Sequence, residues 1–257
     1  GMVRLRNFFE NPNFLTPVYN RSEEWRTDVY HFPVFRYQGL YIALPVMHHW
    51  SGKHPPLYEN VDSRKSVELA SSRDLRHWNR VADRAPFLEL SPIKDGSAYD
   101  TGQIGTTNGV VIRNNELWFY YIGMKHRSLS IADTMNQGYL DSSAICMARL
   151  RMDGFVSLKG GIEWGYLLTK PTIVEGKDLH VNVDSWRGKV IAEILDISDG
   201  NPIPGFTRDE CIPAVIDDIN ETIRWKCKPD LSELCGKTIR IRFWLLKAEL
   251  YAFWFTD

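Results

Sequence analysis

The sequence predicts an all-β protein, because its apolar segments are short and alternate in the way that strands do. The runs at 40–44, 117–122 and 190–195 are rich in β-branched or aromatic residues and are closed by turn-forming residues. In 179–183 and 239–245 every second residue is apolar. Each of these two segments would therefore bury one face and leave the other face in water.

A repeat of about 78 residues organises the first 160 residues of the chain. In the first unit, two strands meet at Gln38-Gly39, and after a long loop two more strands meet at Arg73-Asp74. The second unit has the same order, with turns at Asn115-Glu116 and Asp153-Gly154. Four antiparallel strands per unit are what one propeller blade requires. We therefore predict a partial β-propeller of two four-stranded blade-like sheets; two meanders packed as a sandwich would contain the same strands.

The pattern changes after Gly160-Gly161, where the strands become more closely spaced. Turn-forming pairs such as Asp199-Gly200 and Cys235-Gly236 punctuate this part of the chain. Such spacing is typical of a compact antiparallel β-sandwich. The predicted domains are thus a propeller-like domain over 1–158, with blades at about 28–80 and 105–158, and a sandwich domain over 160–257.

The composition excludes several classes of protein. Lys+Arg 31 against Asp+Glu 32 gives a formal net charge of −1, without a basic arm, so neither nucleic acid nor a membrane surface is an expected partner. No apolar run reaches the roughly 18 residues that a membrane-spanning helix needs. The four cysteines form no Cys-x-x-Cys pair, and the first twenty residues do not resemble a signal peptide. We therefore expect a cytoplasmic protein with reduced cysteines.

Several segments together resemble bacterial proteins related to glycoside hydrolase family 32. The matching segments are Asp28–Tyr30, Phe32-Pro33, Leu69–Asp74, His77-Trp78, Glu116–Tyr121, Met147–Leu158, Thr169–Pro171, Leu179–Val183, Gly205-Phe206 and Leu250–Phe253. The resemblance implies a five-bladed propeller followed by a C-terminal β-sandwich, and it implies glycosidic-bond hydrolysis by paired carboxylates. An oligosaccharide or glycoside is the ligand that it implies.

The chain matches only the C-terminal portion of such proteins, which are nearly twice as long. The Trp-Met-Asn-Asp-Pro and Arg-Asp-Pro motifs of the wider hydrolase clan do not occur in it. The resemblance therefore supports sugar recognition better than hydrolysis. The alternative is a non-catalytic module that binds carbohydrate or a protein partner.

The geometry of a propeller blade predicts where a ligand-binding site would lie. In a blade, the innermost strand starts at the ligand-binding end, and the loop between strands two and three returns to that end. Asp28 and Asp100 each lie just ahead of a predicted innermost strand. If the chain is a hydrolase, Asp28 is the candidate nucleophile or base and Asp100 the candidate acid, because such hydrolysis needs two carboxyl groups. The alternative is that both aspartates are turn residues that bind local backbone amides.

The matching loops supply six candidate substrate-binding residues: His48, His49, Trp50, Lys125, His126 and Arg127. Gln103 is a further candidate. Trp50 is the best candidate for stacking on a sugar ring, since we place it in a loop. His48, His49 and His54 with Asp62 could suggest a metal site, but adjacent histidines on a strand point to opposite faces. We therefore expect neither a metal nor a cofactor.

An incomplete propeller would also expose the edges of its blades, whose unpaired amides and carbonyls must be covered. The segment Val3–Val18 could supply a covering strand, or two copies of the chain could pair edge to edge. The sequence therefore predicts a homo-oligomer formed through exposed blade edges.

Overall fold

The structure, a computed structural model, describes residues 27–53, 61–93, 97–126 and 141–257. Within these residues the protein is all-β, as predicted, with multiple sheets and only two short 3-10 turns, Ala82–Arg84 and Ser232–Leu234. The chain divides into two compact units, 1–149 and 150–257. No helix in the described part of the chain is long and apolar enough to cross a membrane.

The first unit contains strands from two sheets, and the last of these strands continues to residue 151, past the boundary between the units. These strands are β1 (Thr27–His31), β2 (Val34–Tyr37), β3 (Leu40–Ala43), β4 (Val46–Lys53), β5 (Val61–Val67), β6 (Ala70–Ser72), β7 (Asn79–Arg80), β8 (Gln103–Thr106), β9 (Val111–Arg113), β10 (Glu116–Met124) and β11 (Ser143–Arg151). One sheet is four-stranded with the order β2-β3-β6-β7. The other is seven-stranded with the order β1-β4-β5-β8-β10-β11, and β9 pairs with β10.

The four-stranded sheet matches the first predicted blade. Its β2–β3 hairpin turns at Gln38-Gly39, where both residues have positive φ, a conformation that suits a tight two-residue turn. Trp78 is buried beneath this sheet together with Ala43 and Ala70, and its ring meets that of Phe32 edge-on at 4.9 Å. The strand order and the turn thus agree with the four antiparallel strands predicted for the first unit, and a propeller blade stays a prediction.

The second predicted blade differs from the structure, because its strands do not form a separate four-stranded sheet. The β8, β10 and β11 strands belong to the seven-stranded sheet, which also contains β1, β4 and β5. The chain leaves the first sheet at Leu44-Pro45, since proline has no amide hydrogen to continue the ladder. The β4–β5 hairpin beyond this break then reaches β8 through a parallel bridge between Lys65 and Gln103.

The second unit is a β-sandwich. Its strands are β12 (Leu158–Lys159), β13 (Gly165–Leu168), β14 (Thr172–Ile173), β15 (Asp178–Asp184), β16 (Lys189–Asp196), β17 (Asp217–Ile223), β18 (Thr238–Leu246) and β19 (Glu249–Thr256). One sheet has the order β12-β19-β15-β17; in the other, β18 pairs with β13, β14 and β16. Val181 and Ile223 from the first sheet and Ile241 and Phe243 from the second share one buried core.

The division between the units precedes the predicted boundary at 158–160. The residues just before that boundary contact the sandwich: Asn182 Nδ2 donates to the Met152 carbonyl at 2.6 Å, and β12 pairs with β19. The domain limits 1–158 and 160–257 therefore stay a prediction, whereas the compact units are 1–149 and 150–257.

Candidate functional site

A row of polar residues crosses the seven-stranded sheet. Asp28 on β1 is in register with His48 on β4, and His48 is in register with Lys65 on β5. Lys65 is paired in turn with Gln103 on β8. Residues that are directly opposite in neighbouring strands project from the same face of a sheet. One face therefore carries a carboxylate, an imidazole, an ammonium group and an amide side by side.

Lys65 is the unusual member of this row, because only 8% of it is exposed. Its ammonium lies 3.5 Å from the centroid of the Tyr30 ring, and the same ring meets the His48 imidazole edge-on at 5.5 Å. Burial lowers the pKa of Lys65 from its ordinary value of 10.5. Tyr30 itself is 52% exposed. The cation is thus held between an aromatic ring that faces solvent and the polar row.

His49 points away from this row. Its Nδ1 lies 3.1 Å from the Thr27 hydroxyl and its Nε2 lies 3.0 Å from the Ser66 hydroxyl. Burial is the main cause that lowers the pKa of His49, followed by the positive charge of Arg64. The side chains of the candidate residues His48 and His49 therefore project from opposite faces of β4, as alternation along a strand requires.

Asp100 is buried with a tyrosine. Only 7% of Asp100 is exposed, and its carboxylate accepts a hydrogen bond of 2.7 Å from the Tyr121 hydroxyl. Burial, and then this hydrogen bond, raise the pKa of Tyr121. A Cβ built on Gly123 would lie 3.0 Å from the Asp100 Cβ. Asp100 therefore contacts the face of β10 that carries Tyr121 and Gly123.

The two candidate catalytic carboxylates lie on different faces of the sheet. Gln103, in the row with Asp28, is paired with Met124 on β10. Met124 and Gly123 are consecutive residues of one strand, so they face opposite sides. By this alternation Asp28 belongs to one face and Asp100 to the other. The pairing of Asp28 and Asp100 as base and acid stays a prediction, and the register argues against it.

The segment around Gln103 is fixed to the end of β10. The Gln103 side-chain amide donates to the His126 carbonyl at 3.2 Å, so it is the backbone of His126 that contacts the row.

The Lys125 ammonium donates to Asp141 at 2.9 Å and lies 4.3 Å from the Tyr99 ring centroid. Tyr99 donates to the same carboxylate at 2.5 Å. The Lys125 side chain is therefore engaged in its own ion pair.

Several predicted placements need correction. Asp28 lies within β1 rather than ahead of a strand, and Met47–Trp50 lies within β4 rather than in a loop. Lys125 and His126 do follow a strand, as expected. The Trp50 side chain and Arg127 lie outside the described residues, as do His54 and the side chain of Asp62. In the residues that the structure describes, no group of three or more His, Cys, Asp or Glu could hold a metal ion.

Sequence reasoning missed Lys65 and Tyr30. The available signal was the polar run Asp62–Ser66, in which a strand pattern places Ser63 and Lys65 on one face. Their proximity to Asp28 depends on the pairing of β4 with both β1 and β5, which the sequence does not reveal. The site is therefore a property of strand register rather than of a local motif.

No protein-family model matches the chain, and no curated protein matches it. Among solved structures, a complex of BT0996 with RGII is 13% identical with a TM-score of 0.32; the match covers 58% of this protein and 40% of BT0996. The β-1,2-mannobiose phosphorylase from Listeria innocua, in complex with β-1,2-mannobiose, is 17% identical with a TM-score of 0.35. That match covers 66% of this protein and 55% of the phosphorylase. The matched region thus spans less than two thirds of each neighbour.

Proposed function

We propose that this protein binds carbohydrate through the face of the seven-stranded sheet that carries Asp28, His48, Lys65 and Gln103. The observation that carries the proposal is the register that aligns these four side chains. Sugar hydroxyls both donate and accept hydrogen bonds, and the row offers a carboxylate acceptor beside an ammonium donor. The exposed ring of Tyr30 adds apolar area for a pyranose face.

The low exposure of Lys65 supports the same interpretation. Burying an ammonium group costs free energy. The cation–π contact between Lys65 and the Tyr30 ring offsets a part of that free energy. A ligand hydroxyl that accepts a hydrogen bond from this ammonium would supply further compensation. The resemblance of the sequence to proteins related to glycoside hydrolase family 32 points to the same ligand class.

We propose binding without hydrolysis. Hydrolysis by paired carboxylates requires both groups to flank one glycosidic bond, at about 5–10 Å from each other. The register of Asp28 leads through Gln103 to Met124, whereas Asp100 contacts Tyr121 and Gly123, which alternate with Met124 along β10; this supports a separation of the two carboxylates. Asp100 also accepts a hydrogen bond from the Tyr121 hydroxyl. A cytoplasmic location stays a prediction.

The test combines binding and hydrolysis on the full chain. Isothermal titration calorimetry with neutral and acidic oligosaccharides should detect binding to the wild type, and Asp28→Asn should weaken it about tenfold by removing one charged acceptor. Nitrophenyl glycosides should not be cleaved. Hydrolysis that the wild type performs and Asp28→Asn abolishes would contradict the non-catalytic proposal. Full affinity in Asp28→Asn would remove Asp28 from the site.

A second candidate function is self-association. Strand β11 ends the hydrogen-bonded path of the seven-stranded sheet, and Ile145 and Met147 on it are 80% and 43% exposed. Ile122 on β10 is 49% exposed. An exposed apolar edge strand is a template for pairing with another chain. Light scattering tests the predicted homo-oligomer: a mass of 29.8 kDa at high concentration would contradict it.

A further inference from the structure

The second unit has a groove of about 540 Å³ at one end of the sandwich. Its lining comes from the β12–β13, β15–β16 and β18–β19 connections together with the strand ends that flank them. The lining residues are 159–162, Asp184, Trp186, Arg187 and 247–249. None of these residues belongs to the polar row of the first unit. The groove is therefore a feature of the sandwich alone.

The most prominent side chain in the groove is Trp186, which is 57% exposed although tryptophan is usually mostly buried. It is held on a fixed turn. The preceding Ser185 is fully buried, and its hydroxyl lies 3.0 Å from the Ala214 carbonyl and 2.9 Å from the Ile216 carbonyl. The Gly188 amide donates back to the Ser185 carbonyl at 2.9 Å. Trp186 is thus presented to solvent by a well-anchored turn.

The floor of the groove is equally fixed. The Gly160 amide donates to the Ala248 carbonyl and the Lys247 amide donates to the Gly161 carbonyl, both at 2.8 Å. A Cβ built on Gly160 would lie 2.6 Å from the Leu245 Cβ, so only glycine allows this approach. A groove whose walls are already in place binds without the entropic cost of ordering them.

One wall of the groove carries two carboxylates. Asp184 and Glu249 are directly opposite each other on β15 and β19, an arrangement of like charges that destabilises a sheet. Glu249 accepts hydrogen bonds from Lys159 at 2.9 Å and from Ser157 at 2.8 Å, and both lower its pKa. In the described part of the chain, the Asp184 carboxylate has no hydrogen bond or ion pair. Its acceptor oxygens remain available to a ligand.

We propose that this groove is a second carbohydrate-binding site, which takes a pyranose unit of a neutral oligosaccharide. Trp186 offers a flat apolar ring for the sugar face, and Asp184 and Glu249 offer acceptors for adjacent hydroxyls. The lining holds both signs of charge, with Lys159, Arg187 and Lys247 beside Asp184 and Glu249, so it has no strong charge of one sign to select an acidic sugar. Arg187, whose guanidinium lies 4.4 Å from the Trp186 ring centroid, and Lys247 are exposed at the rim as donors. This inference rests on the proposed carbohydrate-binding function and adds a site to it.

The test uses the full chain and calorimetric titration with the pyranose oligosaccharides cellohexaose, xylohexaose and mannohexaose. We expect Trp186→Ala to weaken binding of at least one of them about tenfold, because the stacking surface is lost. Tyr166→Ala is the matched control, since Tyr166 is an aromatic residue of the same unit that is 62% exposed outside the groove. It should leave affinity unchanged. Asp184→Asn should weaken binding without lowering the melting temperature, because it also removes the repulsion between Asp184 and Glu249.

The outcomes separate this site from the one on the first unit. If Lys65→Met weakens binding and Trp186→Ala does not, the groove is refuted and the proposed function stands. If Trp186→Ala weakens binding and Lys65→Met does not, the groove stands and the polar row is refuted. A wild-type chain that binds none of the probes overturns both, and an equal loss in Tyr166→Ala and Trp186→Ala overturns the groove.

Discussion

The buried ion pair between Glu68 and Arg80 provides a quantitative test of how the first unit is held together. Both side chains are 7% exposed, and Arg80 binds the carboxylate through two nitrogens, with Nε donating to Oε2 at 2.6 Å. The Glu68 amide also donates to the Pro45 carbonyl at 3.0 Å, at the point where the chain passes between the two sheets. Arg80→Met would leave a buried carboxylate without its counter-charge, which costs about 3–5 kcal/mol.

For a unit of this size, each kcal/mol lowers the melting temperature by about 2–4 °C, so we expect a decrease of about 6–20 °C. Differential scanning calorimetry measures it. Arg64→Met is the control, because the Arg64–Glu89 pair spans 3.4 Å between side chains that are 45% and 46% exposed and should contribute about 0–1 kcal/mol. The double variant Glu68→Leu/Arg80→Met should recover most of the loss. A decrease in Arg80→Met no larger than in the control would refute the reasoning.

Three further predictions concern single residues. Burial lowers the pKa of His49 below 6.5, so as the pH falls His49 binds a proton in the unfolded chain before it does so in the folded protein. The free energy of unfolding should therefore decrease as the pH falls below about 6.5 toward the pKa of His49 in the folded protein. Urea unfolding at several pH values measures this fall, and His49→Gln should flatten it. Gly188→Ala should destabilise the sandwich by roughly 1–3 kcal/mol, because its Cβ would overlap the Leu246 carbonyl oxygen. A Cβ at Gly161 meets no atom within 4 Å, so Gly161→Ala is the control and should leave the melting temperature unchanged. Burial raises the pKa of Cys211 to about 11, so this thiol should react with a labelling reagent at pH 8 only after the protein unfolds. The exposed Cys227 should react in the native protein, and labelling of both cysteines there would contradict the prediction.

The parts of the fold that depend on local pattern could be predicted from the sequence. Alternation in 179–183 and 239–245 identified the sandwich strands, in which Val181 and Ile241 are fully buried. The Gln38-Gly39 pair identified a hairpin, because glycine readily adopts the positive φ that a tight two-residue turn requires. These features depend on a few adjacent residues.

The candidate site could be predicted only in part, because it depends on which strands pair. Asp28 and His48 were nominated from the repeat, but Lys65 joins them through the antiparallel pairing of β4 with β5, and Gln103 joins through the parallel bridge between β5 and β8. A shift of one residue in any strand would move its side chains to the other face. The same sensitivity explains why Asp28 and Asp100, which occupy similar positions in the repeat, do not share a face.

The most direct measurement for the proposed function is the oligosaccharide affinity of Lys65→Met, determined by calorimetry beside Arg64→Met. The two residues are adjacent on β5 and therefore face opposite sides of the sheet. Methionine removes the ammonium group while filling a similar volume, so Lys65→Met should remain folded. We predict that it binds at least about tenfold more weakly, equivalent to about 1.4 kcal/mol, while Arg64→Met binds as the wild type does. Wild-type affinity in a folded Lys65→Met variant would contradict the assignment of the polar row.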